Sequence, residues 1–279
     1  METNTNNKIE FETKIFYDFH DNMSFLRSYS NDEFKEIITK LFSDTINCKE
    51  EIFSVINSSL RINKEINEII KDELTKSRAK IEKFMNSENF DSEDQYLAYQ
   101  ISTHVSLRED RFHTLEKEVE MQSMSAIVIL LSLLESTLHE MIQKLRDFNE
   151  EVFPDIKGVF KRDKGIAKYL KYLEKYLTDK NFIVAMPLYN EILHWAGLRN
   201  NIVHNANKYN EELFNNSLKF NINVKRNREM KFSYNTVEVI QLAQRVAEIL
   251  NLCIVDGLYN YCDVDFIEIE AIYPKIVVE

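Results

Sequence analysis

Glycine and proline are nearly missing from this chain: its 279 residues include Gly 4 and Pro 3. Helix interiors reject both, by about 1 and 3 kcal/mol relative to alanine, whereas hairpins and loops depend on them. Their scarcity predicts an all-α protein and excludes a glycine-rich phosphate loop. Cysteine is sparse as well. Cys48, Cys253 and Cys262 stand at no metal-ligand or redox spacing. Cys48 and Cys253 have apolar neighbours, as small core residues do. The polar, acidic first residues lack the basic start and apolar centre of an export signal. With no disulfide framework either, a reducing cytoplasm is the expected location. Long apolar runs are also missing. Ala126–Leu134 is the longest without charge, too short to cross a bilayer, and it continues into Glu135. A buried core helix and no membrane partner are expected. His104, His113 and His139 suggest no metal site, and no serine-centred elbow is present, so no cofactor is expected.

What is abundant is charge on an amphipathic background: 29% charged and 44% hydrophobic residues, with a net charge of −11. That balance argues against general coating of nucleic acid, which needs excess cations. It leaves room for local basic clefts. One basic stretch runs from Lys157 to Lys175 and includes Lys161, Arg162 and Lys164, the candidate substrate-binding cations; Lys225, Arg226, Arg228 and Lys231 form a second.

The pattern is helical from Phe11 to about Met85, with Asn31-Asp32-Glu33 as a cap signal, and long antiparallel helices or a coiled-coil-like arm are expected. Ser87–Asp94 is an acidic break. Helices then come over about Gln95–Glu120, Met121–Phe148, a tyrosine-rich stretch to Leu177, and Leu188–Ala206 after Pro187. Strict alternation over Leu218–Val224, a polar turn at Lys225–Glu229 and a return over Met230–Tyr234 predict a short β-hairpin. Thr236 caps a last helix, Val237–Leu252, and Val264–Val278 adds a strand or wraps the surface. The fold expectation is a multi-helix bundle with a hairpin after the 188–206 helix. An N-terminal helical region, 1–114, would serve dimerisation, sensing or regulation, and a second domain would span 115–279.

Chemistry concentrates in Ala196-Gly197-Leu198-Arg199-Asn200-Asn201-Ile202-Val203-His204-Asn205. Cutting RNA without a metal needs a base for the 2′-hydroxyl, an acid for the leaving 5′-oxygen, and a cation for charge developing on the phosphate. Histidine titrates near neutrality and suits either proton role. Arginine offers a permanent charge in a planar fork. At about 100° per residue, with Arg199 at 0°, Asn200 falls near 100°, His204 near 140° and Asn201 near 200°. Leu198, Ile202, Trp195, Ile192 and Val203 occupy an apolar arc that includes Arg199. A guanidinium there needs a partner. Glu135, embedded in an apolar helix, needs one of opposite sign, so Glu135 is expected beside Arg199. Asn201 and Asn205 would support the site. One histidine does not readily act as both base and acid, so catalysis by this motif implies a homodimer with a shared cleft. His194 reads best as a surface residue, Trp195 as a core anchor, and Tyr169, Tyr172 and Tyr176 as packing residues.

Arg199-Asn200, three residues, then His204, on a late helix and preceded by a Leu-Leu-Glu135-Ser-Thr-Leu helix, resembles the signature of the HEPN superfamily over about residues 115–255. The bare spacing also occurs at Arg108–His113, without the asparagine or the aliphatic context. The resemblance implies an RNA endonuclease of toxin or anti-phage defence type, acting as a dimer, with an antitoxin or defence-system partner. It implies that Arg199 contacts the scissile phosphate, Asn200 positions it and His204 transfers protons. One toxin branch carries a tyrosine two residues after the histidine, the target of a partner nucleotidyltransferase. Ala206 stands there in this chain. The alternative is a non-catalytic helical module that binds RNA or protein through a degenerate motif.

Overall fold

The computed structural model describes residues 32–85, 94–178, 187–227 and 229–262. Two long helices come first, α1 (Asp32–Met85) and α2 (Asp94–Phe148). After a turn-rich connection come α3 (Gly165–Leu173), which ends in a π-helical turn at Glu174–Thr178, and α4 (Pro187–His204). The chain continues through α5 (Glu211–Lys219), β1 (Lys225–Arg226), β2 (Phe232–Ser233) and α6 (Thr236–Cys262). The expected all-α class holds, with one short antiparallel hairpin. The first residues and the 264–278 tail lie outside the described residues, as does most of the acidic break.

The chain divides into two compact units, neither continuous in sequence. One takes Met1–Ile46, Thr137–Met186 and Leu250–Glu279; the other takes Asn47–Ser136 and Pro187–Ile249. In the first, Leu138, Met141, Ile142 and Leu145 of α2 are buried, together with Phe153, Ile156, Ile166, Leu170 and Tyr172. Tyr172 donates its hydroxyl to the Pro154 carbonyl at 2.8 Å, and burial pushes its phenol up to about 12. Tyr172 is therefore a packing residue.

The second unit holds the motif helix. Its core is built from Ile52 and Ile56 of α1, Ile127, Leu130, Leu131 and Leu134 of α2, Ile192, Trp195 and Leu198 of α4, and Val239, Leu242 and Val246 of α6. Each buried side chain of this size contributes roughly 1.5–3 kcal/mol. The run Ala126–Leu134 is thus a core stripe. Residues Arg111–Phe148 include a window long and apolar enough to cross a membrane, and half of that window is buried inside the protein.

Four expectations need correction. Gln95–Glu120 and Met121–Phe148 are one helix, because nothing around Glu120 breaks it and only its surroundings change. Leu218 and Lys219 belong to α5 rather than to a strand. The Asn210 side chain accepts from the Leu213 N–H at 2.9 Å and caps that helix, with Glu211 and Glu212 in the first turn. The alternation begins only at Ile222, and the turn of the hairpin runs from Asn227 to Met230, where the Asn227 side chain accepts from the N–H groups of Glu229 and Lys231 at 3.0 Å. Finally, Asn235 rather than Thr236 caps α6. Its side chain accepts from Val237 N–H at 2.7 Å while Glu238 accepts from Asn235 N–H at 2.8 Å, a reciprocal capping box.

Candidate functional site

Pro187 opens α4, where a missing N–H costs nothing, and the helix carries the motif to its last residue, His204. Arg199 and Glu135 meet as expected. Arg199 Nη1 donates to Glu135 Oε2 at 2.9 Å, with side chains 27% and 29% exposed. Each solves the other's problem: a guanidinium in an apolar arc and a carboxylate one residue past Leu134. The contact is end-on, through one nitrogen. Arg199 also offers Nε and Nη2 donors, and Glu135 is its one side-chain partner among the described residues.

Asn200 and His204 are exposed and stand one helical turn apart. Among the described residues neither side chain makes a hydrogen bond or an ion pair. The imidazole sits at the carboxyl end of α4. Val203 beside it is 52% exposed.

Asn201 and Asn205 play different parts. Asn201 is buried, and its Nδ2 donates to the Lys208 carbonyl at 2.9 Å. Its own carbonyl accepts from the N–H groups of Asn205 at 3.1 Å and Asn207 at 3.0 Å. Asn201 therefore closes the helix end, while Asn205 stays exposed at the surface. The chain reverses through Ala206 and Asn207, both left-handed with φ 52° and 57°. Asn207, for which spacing suggested no role, ties the helix end to the hairpin. Buried, it donates to the Phe232 carbonyl at 2.6 Å, and its main-chain carbonyl accepts from Phe232 N–H at 3.1 Å. Tyr234 donates its hydroxyl to the Asn207 side-chain oxygen at 3.4 Å. The available signal was an Asn-Ala-Asn run just past the helix, with no glycine there to make the turn, since asparagine tolerates left-handed backbone best among non-glycine residues.

Two more polar groups of α4 are internal. His194 is buried, which overturns its expected surface position. With Ser217 Oγ donating to the Leu213 carbonyl at 2.9 Å, His194 Nε2 donates to that oxygen at 2.8 Å. Burial, then repulsion from Lys219, holds its imidazole below the ordinary value. Glu191 accepts from Arg245 Nε at 3.0 Å and Gln241 Nε2 at 3.3 Å, which ties α4 to α6. Trp195 is fully buried, the core anchor expected of it.

Lys161, Arg162 and Lys164 are exposed in the turn before α3 and belong to the other compact unit. Among the described residues no group of three histidine, cysteine, aspartate or glutamate side chains is placed to hold a metal ion. Comparison with protein-family models, curated proteins and solved structures gives no match for this chain.

Proposed function

We propose that the protein is an RNA endonuclease of HEPN type, working in the cytoplasm as a toxin or anti-phage effector under the restraint of an antitoxin or defence-system partner. One observation carries this: Arg199 is held by Glu135 through a single nitrogen, beside an exposed Asn200 and an exposed His204 with no partners of their own among the described residues. A site that binds a phosphate in passing needs a cation fixed in place yet still open, and proton-transfer groups that reach solvent.

In this mechanism His204 takes the proton from a ribose 2′-hydroxyl, and the 2′-oxygen attacks the adjacent phosphorus. Arg199 meets the charge on the non-bridging oxygens, and Asn200 orients the phosphate. The bond to the 5′-oxygen breaks as a second histidine returns a proton to it, leaving a cyclic phosphate and a 5′-hydroxyl. The second histidine is His204 of another copy, so the unit of activity is a homodimer; Val203 is an apolar contact available to that copy.

Purified protein incubated with total RNA in EDTA tests the proposal. Wild type should produce cyclic-phosphate ends, and Arg199→Ala or His204→Ala should lower the rate at least about a hundredfold with the circular dichroism spectrum retained. Full cleavage by both variants ends it. Glu135 itself favours a second possibility. A guanidinium satisfied by a carboxylate can anchor α4 to α2 without chemistry, and the module then only binds RNA or protein. RNA retained but uncut by wild type would select that alternative.

A further inference from the structure

The motif helix runs directly into a small ribbon. Beyond the turn, residues 207–209 lie antiparallel to β2, since Phe232 N–H donates to the Asn207 carbonyl at 3.1 Å and Tyr209 N–H donates to the Met230 carbonyl at 2.9 Å. β2 pairs in turn with β1, Lys225 opposite Ser233 and Arg226 opposite Phe232. The two-stranded hairpin and the turn past α4 are thus joined by one further bridge into a single surface, fastened through Asn207.

Strand alternation sorts its side chains. Phe232 points into the core, so Lys231 and Ser233 lie on the opposite face. Lys208 is bridged to Lys231 and Lys225 is paired with Ser233, which puts three lysines on one face of the ribbon, Lys225 diagonal to Lys231. The two bonds flanking Lys208 and Lys231 make them a non-hydrogen-bonded pair, the arrangement in which facing side chains come closest. Like charges placed so are destabilising. Glu229 offsets part of this, accepting from Lys231 at 3.0 Å and from Lys117 at 2.7 Å. Those two lysines pull its carboxyl down to about 2. Lys208, Lys225 and Arg226 are exposed and form no salt bridge among the described residues; Lys225 has only a longer attraction to the buried Glu238. Arg226, paired with Phe232, lies on the other face, over the Tyr209 ring at 5.5 Å. In a chain of net charge −11, a face with three lysines, two of them unbridged among the described residues, is an unusual surface.

We propose that this face of the ribbon is the track for the RNA backbone: Lys208, Lys225 and Lys231 bind phosphates of a single strand as it leaves His204. The identity of the polymer rests on the nuclease proposal; the anion site does not. Phosphates relieve the Lys208–Lys231 repulsion, and an extended strand matches an extended ribbon better than a point ligand would.

The test uses full-length protein carrying His204→Ala and a labelled oligouridine of about 16 nucleotides. Replacing Lys208, Lys225 and Lys231 with alanine should weaken binding at least about tenfold and flatten the slope of log K against log salt by about 2. A charge-matched variant, Lys161, Arg162 and Lys164 to alanine, should lose less than about threefold. Melting temperature should not fall in the first variant, since it removes a repulsive pair. Equal loss in both variants, an unchanged salt slope in the ribbon variant, or binding to phosphatidylserine vesicles without binding to RNA overturns the ribbon track. Cleavage by otherwise wild-type protein separates the two proposals. RNA held through the ribbon but never cut removes the nuclease and leaves the track. RNA cut equally well with and without the ribbon cations removes the track and leaves the nuclease.

Discussion

His194 shows how a single polar side chain gains its role from burial. Its Nε2–H is spent on Ser217, its ring lies 5.4 Å from Phe220, and Lys219 adds a like charge. Burial first, and then Lys219, favours the neutral imidazole, and the unfolded chain, with an ordinary histidine, binds a proton more readily. Between the depressed folded value and about 6.5 the unfolded state therefore holds more protons, and stability falls as the pH falls through that window. Glu120 and Glu238 act in the opposite sense, because burial raises both carboxyls and charging them costs stability as the pH rises. The histidine contribution is isolated by difference. His194→Gln, which keeps a donor for Ser217, should lose less stability than wild type between about pH 7 and 5.5 in urea titrations, and parallel curves for the two proteins would refute the assignment. Asn207 is the companion case. Its side chain serves a carbonyl and a hydroxyl while its backbone is left-handed, so Asn207→Ala should cost about 2–3 kcal/mol, read as a drop in the urea midpoint with unchanged slope.

At the scale of elements, α4 is notable for what its glycine does not do. A Cβ built on Gly197 meets only Leu213 Cδ2, at 3.7 Å, an ordinary contact. The residue is helical and needs neither unusual backbone nor a close approach, so Gly197→Ala should stabilise the protein by about 0.5–1 kcal/mol, measurable as a rise in melting temperature. The ends of elements were harder to foresee than their existence. α4 was legible from Pro187 and a clear apolar arc, and α2 from its apolar run. The nine residues of α5 were hidden, because Leu218–Val224 alternates and a two-residue period outweighs one capping asparagine when only the pattern is seen. The hairpin was foreseen in the right place but set too early, since its start depends on where α5 stops.

For the whole molecule, the long helices pass through both compact units, so the division of the chain is not a cut at one position. The proposed nuclease needs two copies. Adding an excess of His204→Ala protein to wild type, with RNA in excess, should lower cleavage below that of wild type alone, because a mixed dimer carries one histidine where the step needs two. Activity that rises with protein concentration should accompany it. Wild-type cleavage left unchanged by the excess of His204→Ala protein would refute a shared cleft.

The sequence by itself determined the helical class and the Arg199–Glu135 pairing. Backbone propensity and the cost of an unpaired charge on an apolar face act locally or leave one sensible partner. It also determined that Asn200 and His204 share an exposed face, because helical geometry alone decides that. Only the tertiary structure decided which motif asparagine holds the helix end, that His194 is internal, and that the cations of the hairpin continue directly from His204. Those outcomes depend on how the chain turns at Ala206 and Asn207 and on which strand Asn207 grips. They are set by hydrogen bonds between residues far apart in the chain, which spacing does not encode.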